Sequence, residues 1–138
     1  MLAAMIPIGQ ALESTGITAQ IASEVVQLAG GLHVFWVLMI ILIITMLITD
    51  VINNAATAVI MAPFSVNIAL QLGQPLEPFL MVVAVGASCA FLTPIGHQCN
   101  TLVMGPGNYK FSDYWRLGLP VDVLIVAASI PMILFVWL

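Results

Sequence analysis

The chain has 138 residues, of which 62% are hydrophobic and 6% charged, with a formal net charge of −4. A soluble domain carries roughly a quarter charged residues and leaves much of its area facing water, so this composition excludes a soluble fold. Its two basic residues, Lys110 and Arg116, exclude nucleic-acid binding, which needs clustered phosphate neutralisation.

The composition predicts an all-α integral membrane protein bathed in lipid, with mean hydropathy +1.18. At about 20 apolar residues per crossing there is room for at most about five or six passes. Residues 1–12 read as the end of a membrane helix, with no basic n-region or cleavage site of a removable signal peptide. The chain opens in mid-hydrophobic run, which predicts that it continues a longer sequence. Glu13-Ser14-Thr15-Gly16 supplies polar turn residues, and residues 17–30 form an amphipathic segment. Ile17, Ile21, Val25 and Leu28 fall on one helical face, with Gln20, Ser23, Glu24 and Gln27 opposite, the pattern of an interfacial helix.

Residues 33–72 are predicted to form a helical hairpin with its tip at 53–55. Val34 to Ile48 is the strongest membrane signal, and a second apolar stretch runs from Ala55 to Leu70. Between them, Thr49-Asp50-Val51-Ile52-Asn53-Asn54 contains no basic residue, Gly or Pro. So tight a connection predicts a re-entrant hairpin whose tip dips into the membrane; two full spanning helices with a short exposed loop are the alternative.

A turn at Leu72 to Pro78 leads into a broken helix over residues 77–107. Its first half is rich in Ala84, Gly86, Ala87, Ser88 and Ala90, small residues that let membrane helices approach closely. Pro94 and Gly96 break it, and Gly105-Pro106-Gly107 stops it; no Lys-Ser/Thr follows, so this is no phosphate loop. Asn108 to Trp115 reads as a polar, aromatic loop, and residues 116–138 as the last transmembrane helix, with Asp122 near its start favouring the helix dipole. Lys110 and Arg116 place the loop they share in the cytoplasm, with the C-terminus outside, in a multi-pass protein of the plasma (inner) membrane.

The two interruptions are where chemistry is expected. Each leaves a half-helix, beginning near Ala55 and near Thr101, whose unpaired N–H groups and positive dipole end suit an anion. The opposing carbonyl ends suit Na⁺, and discontinuous helices meeting at depth are how secondary transporters bind substrate and ion together. Asp50 reads equally as an intramembrane functional acid and as a cap of the turn. His97 is either a ligand or a neutral ring satisfied by neighbouring carbonyls. Cys89 and Cys99 read as packing residues, with no disulfide framework or zinc spacing. No catalytic set emerges, so the chain is not expected to be an enzyme and needs no cofactor. The rival readings are an intramembrane hydrolase using Asp50, His97 or Cys99, and a truncated, non-transporting membrane fragment that requires a partner chain.

Thr49-Asp50-Val51-Ile52-Asn53-Asn54-Ala55-Ala56-Thr57-Ala58 resembles the segment around the Ser-Asn-Thr signature of the divalent anion/sodium symporter family, one of the citrate-transporter-like ion transporters. Ser88 to Val103 resembles that family's second unwound helix, and Met104 to Tyr114 its sulfate-permease-like branch. The lead-in Gly9 to Gly16 matches too, so the resemblance covers nearly the whole chain. It implies most of one inverted repeat, the C-terminal one, of an elevator-type transporter carrying a sulfate- or dicarboxylate-class anion with Na⁺. Substrate contacts implied are Asn53, Asn54, Ala55, Thr57, Asn100 and Thr101; Na⁺ contacts are Asp50, Asn54, Pro94, Gly96, His97 and Asn100. Only Asn54 is identical to the signature. The losses at Asn53 and Ala55, and His97-Gln98-Cys99 in place of a polar-Pro-Pro stretch, point away from the dicarboxylate branch. The implied partners are lipid, the small anion, Na⁺, the missing first repeat or a homologous chain, and a second copy in a homodimer of complete subunits.

Overall fold

The computed structural model describes residues 33–137 and, before them, only residues 7, 11, 14–16, 20, 21, 23, 24 and 27. The stub expected at 1–12 and the interfacial helix expected at 17–30 therefore lie mainly outside the described residues. All regular structure among the described residues from 33 onward is α-helical.

Helix α1, Val34–Thr49, is an unbroken apolar run without Gly or Pro. Its one mid-helix hydroxyl, on Thr45, donates to Ile41 O at 2.6 Å, so nothing polar is left unpaired on a buried face. At 16 residues it is about 24 Å long, shorter than a hydrocarbon core of roughly 30 Å. Helix α2, Asn54–Leu72, starts where the Asn53 side chain caps it and ends at Gly73, whose left-handed φ of 64° suits glycine. There Gly73 N–H donates to Leu70 O and Gln74 N–H to Ala69 O, satisfying the last carbonyls of the helix. Pro63 lies inside α2, and Asn67 Nδ2 donates to the Pro63 carbonyl at 2.9 Å. Helix α3, Leu76–Ser88, begins with Pro75, Glu77 and Pro78, residues suited to a helix N-terminus because the first N–H groups need no intrahelical acceptor.

The packing explains why α3 carries small residues. It lies against both arms of the hairpin, and the arms touch each other far less than each touches α3. A Cβ on Gly86 would sit 2.9 Å from Thr45 Cβ and 3.2 Å from Leu42 Cδ1, so this crossing requires glycine. The core joins Leu38, Ile41, Leu42 and Met46 of α1, Met61 and Ile68 of α2, and Phe79, Val82 and Val83 of α3.

An irregular stretch follows α3, then the short helix α4, Gln98–Met104, and the long helix α5, Phe111–Trp137. Ile130 and Ile133 of α5 close the core, whereas most of its remaining surface is exposed. Among the described residues α2 and α5 are the helices long and apolar enough to cross a membrane.

Two boundaries differ from the sequence reading. The half-helix expected near Thr101 begins at Gln98, because His97 rather than a later residue takes the N-cap position. The last helix begins at Phe111 rather than 116. Asp113 Oδ2 accepts from Lys110 N–H at 2.8 Å while Asp113 N–H donates to Lys110 O, a reciprocal cap that converts most of the expected loop into a first turn. Asp122 consequently lies well inside α5, too far from its start to interact with the dipole end, and the structure corrects that assignment.

Candidate functional site

The C-termini of α1 and α3 and the N-terminus of α2 converge at one level of the molecule. Thr49, the last residue of α1, is fully buried, and its hydroxyl has two acceptors at 3.0 Å: Ala87 O on α3 and Asn54 Oδ1 on α2. One hydroxyl thus ties three helix ends together.

At the hairpin tip, Asn53 is exposed and Asn54 half-buried. Asn53 Oδ1 accepts from Ala56 N–H at 2.8 Å, which commits its oxygen to the cap and leaves its NH₂ group without a partner among the described residues. The N–H groups of Asn54 and Ala55 have no intrahelical acceptor by helix geometry. Ala55 is exposed; Thr57 is buried, its hydroxyl donating to Asn53 O at 3.2 Å.

The irregular segment Cys89 to His97 lies directly on this tip. Asp50, only 3% exposed, receives Leu92 N–H on Oδ1 at 3.1 Å. Its own carbonyl accepts from Thr93 Oγ1 at 2.5 Å, and that hydroxyl accepts in turn from Gly96 N–H at 3.2 Å. Gly96 is buried so closely that a Cβ would lie 2.8 Å from Thr49 O and 3.0 Å from Asp50 Cα. Asp50 therefore does cap irregular backbone, but that of the other interruption rather than its own turn.

Beyond the break, Asn100 is half-buried and oriented oppositely to Asn53. Its Nδ2 donates to Ala90 O at 2.9 Å and Thr93 O at 3.3 Å, so its donors are used while Oδ1 has no partner among the described residues. Thr101, exposed, donates to the carbonyl of buried Pro94 at 2.5 Å. His97 is exposed and accepts Cys99 N–H on Nδ1 at 3.2 Å; it is a helix cap, not a ring satisfied by carbonyls. Tyr114 of α5 donates to Asn100 O at 2.7 Å, and Gly118 packs against the Phe91 carbonyl where a Cβ would not fit.

The structure thus brings Asp50, Asn54, Pro94 and Gly96 into one connected region with Asn53, Asn100 and Thr101 at its borders. Sequence reasoning passed over Thr49, Thr93 and Tyr114. Thr49 carried one usable signal, its place four residues before Asn53; the other two act through partners distant in sequence.

Two buried carboxylate oxygens lack partners among the described residues, Asp50 Oδ2 and Asp122 Oδ1. Asp122 lines a cavity of about 500 Å³ between α1 and α5, whose walls include Met39, Ile43, Leu119 and Leu92, the residue whose N–H holds Asp50. No cluster of three or more His, Cys, Asp or Glu exists among the described residues. The polar groups of this region that could meet a cation are oxygens, the Asp50 carboxylate and the Asn100 amide among them, a donor set suited to hard cations.

The chain is similar along its whole length to known transporters. The family model described as citrate transporter matches residues 1–138. An uncharacterized transporter of Synechocystis sp. is 37% identical over 99% of this chain and 22% of its own length. The uncharacterized transporter YfbS of Escherichia coli is 39% identical over 96% of the chain and 22% of its own length. Sodium/sulfate cotransporter 2 of Chlamydomonas reinhardtii is 30% identical over 94% of the chain and 15% of its own length. The chain spans about a fifth of the length of the first two relatives. With a helical, lipid-compatible body and a whole-length family match, the chain is a membrane protein belonging to the citrate transporter family.

Proposed function

We propose that this chain is the C-terminal part of a Na⁺-coupled secondary transporter for a divalent anion of the sulfate or dicarboxylate class, with sulfate favoured. In that role it contributes a re-entrant hairpin and a broken helix, most of one inverted repeat of an elevator-type carrier. The observation that carries the reading is the interlock of the hairpin tip with the irregular segment, with the Asn53 NH₂ unpaired among the described residues at the start of a 19-residue helix. Helix α1, too short for a full crossing at about 24 Å, fits an arm that ends at depth. The Chlamydomonas relatives named sodium/sulfate cotransporters support the choice of anion and ion.

Hydrogen-bond polarity divides the labour. Asn53 offers donors, with the unpaired N–H groups at the start of α2 beside it, and serves the anion. Asn100 offers only its carbonyl oxygen and serves the cation. Thr57 and Thr101 have committed their protons to Asn53 O and Pro94 O, so they support the backbone and offer an anion no donor. With two basic side chains, both exposed, in the chain, charge compensation of a dianion falls to helix ends, amides and the co-bound Na⁺. Lys110 and Arg116 orient their end of the chain toward the cytoplasm.

The test is radiolabelled sulfate uptake into vesicles holding the full-length protein. Uptake is expected to require an inward Na⁺ gradient and to be inhibited more by unlabelled thiosulfate than by succinate. Uptake driven by a proton gradient and indifferent to Na⁺ overturns the ion assignment; stronger inhibition by succinate overturns the anion.

A further inference from the structure

Three hydrogen bonds run in series from the hairpin tip to the last helix, a fourth branches to Gly96, and one side chain stands in the middle of them. The Thr93 hydroxyl donates to Asp50 O and accepts from Gly96 N–H, while the Thr93 carbonyl accepts from Asn100 Nδ2. Asn100 is held from its other side by Tyr114. Asp50 and Thr93 are 43 residues apart, so this is a tertiary clasp and not local turn geometry. It reaches both proposed ligand groups: Asp50 is at the end of the arm leading to Asn53, and Asn100 hangs from the Thr93 carbonyl.

We propose that Thr93 is a positioning residue of this site, setting the separation between the anion-binding tip and the cation-binding amide. Three features make its hydroxyl specific to the task. It must donate, because Asp50 O is a carbonyl; it must accept, because Gly96 offers an N–H; and it must be short, because Gly96 is pressed to 2.8 Å (by its hypothetical Cβ) from the Thr49 carbonyl. A serine meets all three demands. Valine, nearly isosteric with threonine, meets only the last and leaves an unpaired donor and acceptor on opposite sides of the contact. Without the clasp the tip and the irregular segment keep their own caps but lose their mutual register. Anion and cation then no longer meet at a fixed distance, and the attraction of Na⁺ for the anion weakens steeply as that distance grows.

This inference rests on the transporter reading, and its test separates the two. The full-length protein in nanodiscs is compared as wild type, Thr93→Val and Thr93→Ser, by amide hydrogen exchange over the peptide containing Gly96 and by sulfate uptake at varied Na⁺. Thr93→Val is expected to speed exchange at that peptide and to raise the Na⁺ concentration for half-maximal uptake about tenfold, the scale of one lost buried hydrogen bond, with maximal rate changed far less. Thr93→Ser is expected to restore both. Unchanged exchange in Thr93→Val shows that the clasp does not hold the segment and overturns the proposal. Faster exchange with unaltered Na⁺ dependence also overturns it, because the clasp then has no bearing on the site. If Thr93→Val does not assemble, wild-type Na⁺ affinity in Thr93→Ser together with protected Gly96 carries the proposal, and a tenfold loss there overturns it. Absence of sulfate uptake by the wild type counts against the transport reading alone, since hydrogen exchange still reports the clasp.

Discussion

The hairpin tip and the helix that follows the irregular segment both present an asparagine near a helix start, and the two are wired in opposite senses. At the tip, Asn53 spends its oxygen on the cap and keeps its donors. Just past the segment, in the first turn of α4, Asn100 spends its donors on Ala90 O and Thr93 O and keeps its oxygen. The same residue type therefore offers opposite polarity, and the cause is which backbone groups each has to satisfy. A helix start leaves N–H groups bare, whereas a broken stretch leaves carbonyls bare. A site for an anion and a cation together follows from placing one of each side by side, with almost no charged side chains.

Substitutions that change one polarity and spare the other probe this contrast. Asn53→Asp preserves the capping oxygen and replaces the free donors with negative charge. Sulfate uptake is expected to fall by about a hundredfold or more, from loss of an ionic hydrogen bond and added like-charge repulsion. Thermal unfolding of the detergent-solubilised full-length protein should be unaffected, because aspartate caps helices as well as asparagine does. A matching drop in melting temperature would mean that Asn53 matters through its cap. Gly96→Ala attacks the contact between the two regions. Backbone of residues 49 and 50 occupies the space, so a destabilisation of up to about 3 kcal/mol is expected in the same unfolding assay.

Asn100→Asp is the mirror of the first substitution and should behave in the opposite way. It faces two carbonyls with an oxygen where an NH₂ stood, so the fold is expected to lose about 1–3 kcal/mol even though an oxygen remains available to a cation. Full stability in this variant would show that the amide is not the latch described. The smallest effect is expected from Tyr114→Phe, which removes the hydroxyl bonded to Asn100 O and should cost about 1 kcal/mol of stability while leaving sulfate affinity unchanged.

Much of this arrangement was legible in the sequence, for identifiable reasons. Asn53-Asn54 between apolar runs, and Pro94 with Gly96 inside another, mark backbone interruptions through local chemistry, and the structure has both interruptions. Thr93 was not legible as a site residue, because a threonine beside a proline has an adequate local explanation, and Thr49 offered only its place four residues before Asn53. Besides near neighbours, Thr49 bonds Ala87 and Thr93 bonds Asp50, 38 and 43 residues away, and those contacts appear only in the fold. The start of α5 was missed because Asn108 to Trp115 has the composition of a loop, while the Lys110–Asp113 cap that makes it helical depends on two residues alone. That error carried the reading of Asp122 with it.

The position of α3 between the hairpin arms has a consequence for biogenesis. The arms make their main contacts with α3 and few with each other, and α3 is synthesised after both. While the ribosome is still adding residues 76–88, α1 is emerging ahead of α2, which lies too few residues from the growing end to have cleared the tunnel, so both arms meet the membrane with their packing partner incomplete. The Thr49 hydroxyl has no Ala87 carbonyl to meet. The hairpin therefore settles late, after its own synthesis is finished. A released chain truncated between residues 72 and 88 should form an unsettled, membrane-associated hairpin open to quality-control proteases, because it lacks the α3 that wedges the arms.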